Sequence, residues 1–149
     1  MNTLTNKKRR VLVADGDPMI RQLVSSLIEK ENCKPVLLAD GGSAYRLLQS
    51  DADFCGAVFD MRMPQIEGLD LLRFMQTEKR LMRIPVLMIT SELDLKTMAN
   101  SFAAGAALFL AKPFTSEHFQ STFRLLLNSH PAAMQSTTTQ RSPINLPGR

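Results

Sequence analysis

Short apolar runs alternate five times with longer segments of helical spacing. The runs span residues 10–14, 35–39, 54–59, 84–90 and 107–111 and are rich in Val, Ile, Leu and Phe. They lack strict polar alternation, as strands covered on both faces do. In the first intervening segment Ile20, Leu23, Val24, Leu27 and Ile28 recur at i, i+3, i+4, i+7 and i+8, the stripe of an amphipathic helix. Leu69, Leu72 and Phe74-Met75 repeat it in the third, and Phe119, Phe123, Leu126 and Leu127 in the last. Five β-α units predict an α/β domain: a doubly wound parallel sheet with right-handed crossovers and helices on both faces.

Local signals agree with that frame. Asp17-Pro18 reads as an N-cap followed by proline at the first helical position. Thr115 reads as the cap of the last helix, with Phe114 and Phe119 spaced as a hydrophobic staple. Gly105 marks a helix stop before the last strand. Residues 1–8 form a lead-in and 9–129 one domain. Residues 130–149, dominated by Ser, Thr, Pro and Gln, read as a disordered tail or linker stub.

Composition removes several classes of function. Apolar residues make up 44% and charged residues 21%, an ordinary globular balance. No apolar stretch approaches the ~20 residues of a membrane span. The basic run 7–10 is followed by too short an apolar stretch for a signal peptide, so a cytoplasmic protein is expected. Cys33 and Cys55 lack zinc-type spacing and read as reduced core residues. The net charge of +4 comes from scattered cations with few aromatics between them, which argues against direct nucleic-acid binding. The 7–10 run itself reads as a solvated lead-in.

Four polar residues terminate apolar runs: Asp15 the first, Asp60 the third, Thr90 the fourth and Lys112 the fifth. That places two carboxylates, a hydroxyl and an ammonium at the carboxyl edge of a parallel sheet, where open α/β folds bind ligands. A carboxylate can attack phosphorus and hold a phosphoryl group as an acyl phosphate. The incoming group carries negative charge, so it needs a lysine and an oxygen-bound Mg²⁺ to neutralise it.

Val11-Leu12-Val13-Ala14-Asp15-Gly16-Asp17-Pro18, Asp60-Met61-Arg62-Met63-Pro64, Glu67-Gly68, Leu87-Met88-Ile89-Thr90-Ser91 and Lys112-Pro113-Phe114 together resemble the receiver domain of bacterial two-component response regulators. The resemblance runs in order from about residue 9 to 128. It implies a flavodoxin-like five-stranded sheet of order 2-1-3-4-5 and a signalling switch, not a metabolic enzyme. By the same resemblance Asp60 is the phosphorylation site and Asp15 helps organise Mg²⁺. Asp60 and the backbone carbonyl of Arg62 complete the metal ligands, Thr90 is the switching hydroxyl and Lys112 contacts the phosphoryl group. Phe109 matches the aromatic that rotates on activation, and Lys112-Pro113 the cis peptide. Partners follow in kind: a histidine kinase or phosphotransfer protein as donor, and a protein target met through the fourth helix, last strand and last helix. The protein is then a monomer or weak homodimer, with output by protein contact or through further sequence beyond the tail.

Two positions depart from the pattern. Gly16 stands where the family has a second, metal-ligating acid; Asp17 beside it is a candidate substitute, though its place before Pro18 favours capping. Arg62 brings a free cation close to Asp60, so Lys112 and Arg62 together balance Asp15 and Asp60 without metal. Both departures predict weak Mg²⁺ binding. An Arg62–Glu92 ion pair across the mouth of the site would gate water's access while adding under ~1 kcal/mol of stability. Gly16 also favours the alternative of a pseudo-receiver, an interaction module that works without phosphorylation. A nucleotide-binding or hydrolytic α/β enzyme lacks support, since no glycine-rich phosphate loop follows the first run.

Overall fold

The computed structural model describes residues 7–92 and 94–129. Most of the lead-in (1–6) and the tail expected to be disordered (130–149) lie outside the described residues. Strands β1 (Arg9–Ala14), β2 (Cys33–Leu38), β3 (Gly56–Asp60), β4 (Val86–Thr90) and β5 (Leu108–Ala111) form one sheet of order β2-β1-β3-β4-β5, parallel throughout. Helices α1 (Pro18–Lys30), α2 (Gly41–Leu48), α3 (Gly68–Met75), α4 (Lys79–Met82), α5 (Leu95–Ala103) and α6 (Ser116–Asn128) connect and cover it.

The near-continuous apolar character of the strands follows from the two cores they separate. Val11, Val13, Val58, Leu87, Ile89 and Leu110 face Val24, Leu27 and Ile28 of α1 and Phe119, Phe123 and Leu126 of α6. The alternate residues Leu12, Ala14, Ala57, Phe59, Val86 and Met88 face α2, α3 and α4 through Leu48, Leu71, Met75 and Leu81. Each fully buried aliphatic or aromatic side chain contributes roughly 1.5–3 kcal/mol of transfer free energy, so neither face tolerates polar alternation. Pro35 lies within β2, which is admissible because β2 is an edge strand. Cys33 and Cys55 are buried free thiols at the amino edge of the sheet. Burial pushes the Cys55 thiol up to about 11 and raises that of Cys33, which disfavours the thiolate in both.

Several expectations need correction. Phe54 and Cys55 precede β3: Phe54 N–H donates to Ala52 O, while Cys55 N–H reaches across to Arg10 O of β1. Strand β2 begins two residues early, because Arg9 and Arg10 take Cys33 and Lys34 as partners. The single turn α4 was not expected; Glu78 O accepts from Leu81 N–H and Met82 N–H, and Leu81 fills the core. The fourth long helix is therefore α5 and the last is α6. Leu23 is exposed instead of facing the core, and in α3 the buried stripe is Gly68, Leu71, Leu72 and Met75, with Leu69 half-buried.

The capping reading holds. Asp17 accepts from Met19 N–H at 2.9 Å with Pro18 beginning α1, and Thr115 accepts from His118 N–H at 3.0 Å with the Phe114 and Phe119 rings 5.6 Å apart. Gly105, at φ 111°, ends α5 in the left-handed region. The Lys112-Pro113 peptide is cis.

Gly68 ties the fold to the carboxyl edge. Its N–H donates to Met61 O at 3.0 Å, and a Cβ there would collide with the backbone carbonyl oxygen of Asp60. Gly68→Ala should therefore destabilise the domain by about 1–3 kcal/mol through forced backbone displacement. Urea denaturation checks this; an unchanged midpoint would show that the close approach is not a constraint.

Candidate functional site

Four crossovers bring the site together. Asp15 follows β1, Asp60 is the last residue of β3 and Lys112 follows β5, so all three lie at the carboxyl edge of the sheet. Asp15 is fully buried. Its backbone N–H continues the ladder to Leu38 O at 3.1 Å, and its Oδ1 accepts the Asp17 N–H at 2.8 Å. Its other oxygen, Oδ2, accepts from Lys112 Nζ at 3.0 Å, and the same ammonium donates to Asp60 Oδ2 at 3.1 Å. The Asp60 side chain retains 13% exposure and that of Lys112 16%, so this pair forms the floor of a mouth open to solvent.

One ammonium thus serves two carboxylates, and the electrostatics follow. Burial pushes the Asp60 carboxyl above its usual range, and the neighbouring Asp15 charge pushes the same way. Lys112 and the Arg62 backbone N–H pull it down without cancelling the rise. For Lys112 burial acts to lower the pKa, but its bonds to Asp15 and Asp60 outweigh it and hold the ammonium above its ordinary value. Lys112 is therefore the fixed positive charge of the site.

The Arg62 side chain is not the second balancing charge. Its guanidinium meets the Glu92 carboxylate twice at 3.0 Å and lies 3.7 Å from Glu67 Oε2. The expected Arg62–Glu92 pair is present, but it commits Arg62 to the rim and leaves Lys112 alone to offset Asp15 and Asp60. The expectation of weak metal binding therefore loses one of its two supports and keeps the other, Gly16.

Thr90 is buried at the end of β4, and its Oγ1 accepts the Glu92 N–H at 3.0 Å. Its carbonyl accepts the Lys112 N–H at 2.7 Å, which links the rim pair, the hydroxyl and the lysine along one stretch of backbone. Phe109 is half-buried on β5, its ring centroid 6.5 Å from that of Phe102 on α5. Asp17 is exposed and caps α1, so its carboxylate is engaged at the helix start.

Arg21, Glu67 and Gly68 complete the surroundings, and the sequence reading missed the part each plays. Arg21 Nη1 donates to the Asp15 carbonyl at 2.6 Å, fixing the loop that carries the buried acid. The signal for it was available: a cation at the start of α1 opposes the helix dipole, so it needs another partner. Glu67 had no such signal.

A hard divalent cation requires oxygen donors. The carboxylates of Asp15 and Asp60 and the backbone carbonyl of Arg62 fit in kind. They fall short in number, since among the described residues no group of three or more His, Cys, Asp or Glu side chains could hold a metal. Gly16 is not required by the backbone, because its φ lies outside the positive region. A Cβ there would sit 3.5 Å from Pro64 Cδ and 3.7 Å from Ala39 O, ordinary contact distances.

Comparison with known proteins agrees with this geometry. The chain is 30% identical over 116 residues to the chemotaxis protein CheY-3 of Vibrio cholerae, covering 78% of this chain and 89% of that one. The solved structure of the chemotaxis response regulator CheY4 of Vibrio cholerae superposes with a TM-score of 0.75 at 27% identity, over 80% of this chain and 99% of that one. The receiver domain of a Pseudomonas aeruginosa sensor histidine kinase, with a magnesium ion coordinated in its active site cleft, shares the fold with a TM-score of 0.73 at 20% identity, over 82% of this chain and 99% of that one. Residues 11–124 match the family model of the response regulator receiver domain, and the chain belongs to that family of two-component signalling proteins.

Proposed function

We propose that the protein is a cytoplasmic phosphoryl-accepting switch, not a metabolic enzyme, with Asp60 as the acceptor. The observation that carries this reading is the Asp60 carboxylate at the mouth of the site, 3.1 Å from the Lys112 ammonium. A histidine kinase or phosphotransfer protein presents a phosphohistidine. An Asp60 oxygen attacks its phosphorus, the P–N bond breaks, and the imidazole leaves with the bonding pair. Lys112 is placed to meet the charge that develops on the phosphoryl oxygens.

Mg²⁺, when bound by Asp15, Asp60 and the Arg62 carbonyl, supplies further neutralisation of that charge. Lacking the second acid at Gly16, the site holds it weakly. Thr90 answers the phosphoryl group by giving up its bond to Glu92 N–H. That movement, with a repacking of Phe109, biases α5, β5 and α6 toward a second arrangement. Leu95, Phe102 and Leu125 are exposed on α5 and α6 and give a downstream protein target an apolar surface. The switch acts as a monomer or weak homodimer. Gly16 is the observation that favours the second reading, a pseudo-receiver whose contacts do not depend on phosphorylation.

Exposure to acetyl phosphate and Mg²⁺ should add one phosphoryl mass to the intact protein, and Asp60→Ala should abolish the gain. No gain in the wild type, with beryllofluoride also leaving the amide spectrum unmoved, would leave the pseudo-receiver.

Gly16→Asp tests the metal argument separately, since a Cβ at Gly16 meets only ordinary contact distances. Its Mg²⁺ dissociation constant, followed by amide shifts near Asp60, should fall about tenfold, equivalent to 1.4 kcal/mol. Equal affinity in the two proteins would contradict the account.

Arg62→Ala should change stability by under ~1 kcal/mol, because the rim pair is exposed. If the pair shields the acyl phosphate, its hydrolysis after removal of donor should quicken in this variant. An unchanged lifetime would remove gating from the role of Arg62 and Glu92.

A further inference from the structure

The amino edge of the sheet carries a second concavity, on the opposite side of the domain from Asp60. It is open to solvent, has a volume of about 320 Å³, and its lining includes Lys7, Lys8, Arg9, Arg10 and Arg83 together with Asp53 and Phe54. Strand β1 spans roughly 20 Å between this edge and Asp15. The cations come from two parts of the chain: the 7–10 run at the start of β1, and Arg83 at the end of α4. Folding thus converts an apparently solvated charge run into one wall of a cavity whose other wall was not legible as its neighbour.

The cations differ in how far they are already satisfied. Arg10 is structural: it bonds both oxygens of Asp51, at 3.1 and 2.9 Å, donates to Asp53 O at 3.2 Å, and lies 4.5 Å over the Phe54 ring. Lys7 meets Asp53 only at 3.9 Å, with both side chains largely exposed. Lys8, Arg9 and Arg83 are exposed and form no ion pair among the described residues. Arg9 begins β1 and lines the concavity beside Cys55. Five cations against Asp51 and Asp53 leave an excess of three positive charges in one concave place.

We propose that this concavity binds a small polyphosphorylated anion, held by Lys7, Lys8, Arg9 and Arg83 on a platform fixed by Arg10. Its volume falls at the lower end of the range for small-molecule sites. Charge-assisted bonds from arginine and lysine are the usual means of holding phosphate oxygens. A nucleic acid fits less well: Phe54, the one aromatic of the wall, is buried and capped by Arg10, so no stacking platform faces solvent. The inference does not depend on phosphorylation of Asp60, and each can fail without the other.

Calorimetric titration of the 149-residue chain with inorganic tripolyphosphate and with ATP, in metal-free buffer at ~150 mM salt, tests the proposal. One saturable site is expected. Its affinity should drop ~tenfold or more in a Lys8→Ala/Arg9→Ala/Arg83→Ala variant that removes charge-assisted contacts. That variant should keep its melting temperature and its acetyl phosphate labelling, because all three side chains are exposed and far from Asp60. Asp60→Asn should bind as the wild type does. Absence of saturable binding, or equal affinity in the triple variant, overturns the site. Retention only by phosphatidylglycerol vesicles or by duplex DNA, with both free anions inert, also overturns it and identifies the edge as a surface for a larger polyanion.

Discussion

Two carboxylates cannot remain charged side by side in a shielded place without a cation, and here one ammonium serves both. Lys112 donates to Asp15 and to Asp60 at nearly equal distances, so it fixes the relation between β1, β3 and β5 at their carboxyl ends. The surrounding backbone is arranged about this bridge. Arg21 holds the Asp15 carbonyl, Thr90 O holds the Lys112 N–H, and Gly68 allows α3 to start directly against Asp60. Breaking a buried pair from one side leaves an uncompensated charge, so removing Lys112 would cost more than the bonds it makes. The Lys112 ammonium is thus already engaged on two sides, and any further anion at the mouth of the site would compete with Asp15 and Asp60 for it.

The fold was legible because its physics is repetitive. Strands buried on both faces must be apolar at every position, and the helices between them need only one stripe. The order of Asp15, Asp60, Thr90 and Lys112 was legible for the same reason, since each ends an apolar run. The rest depended on three-dimensional choices that spacing does not encode. Leu23 fits its stripe by number but not by packing, and Leu69 packs only at the margin of the core. The turn at Lys79–Met82 is too short for a period to reveal it. Arg62 was rightly paired with Glu92, yet its removal from the charge balance at Asp60 follows from where the guanidinium points.

The domain is electrically polarised along its strands. Asp15, Asp60, Glu67 and Glu92 gather at the carboxyl edge, offset in part by Lys112 and Arg62. Lys7, Lys8, Arg9, Arg10 and Arg83 gather at the other. A net charge of +4 describes neither end, and its apparent scatter along the sequence conceals a segregation that the parallel sheet produces by bringing all strand starts to one edge. Partners attracted electrostatically to the two ends would differ in sign.

The open space around Gly16 also has a genetic meaning. A glycine held by a left-handed backbone or by a close contact can change only with damage to the fold. Gly16 is under neither constraint, and a GGU or GGC codon lies one base from aspartate. With such a codon, one base change would place a carboxylate at this position, and the backbone would accept its Cβ at ordinary contact distances.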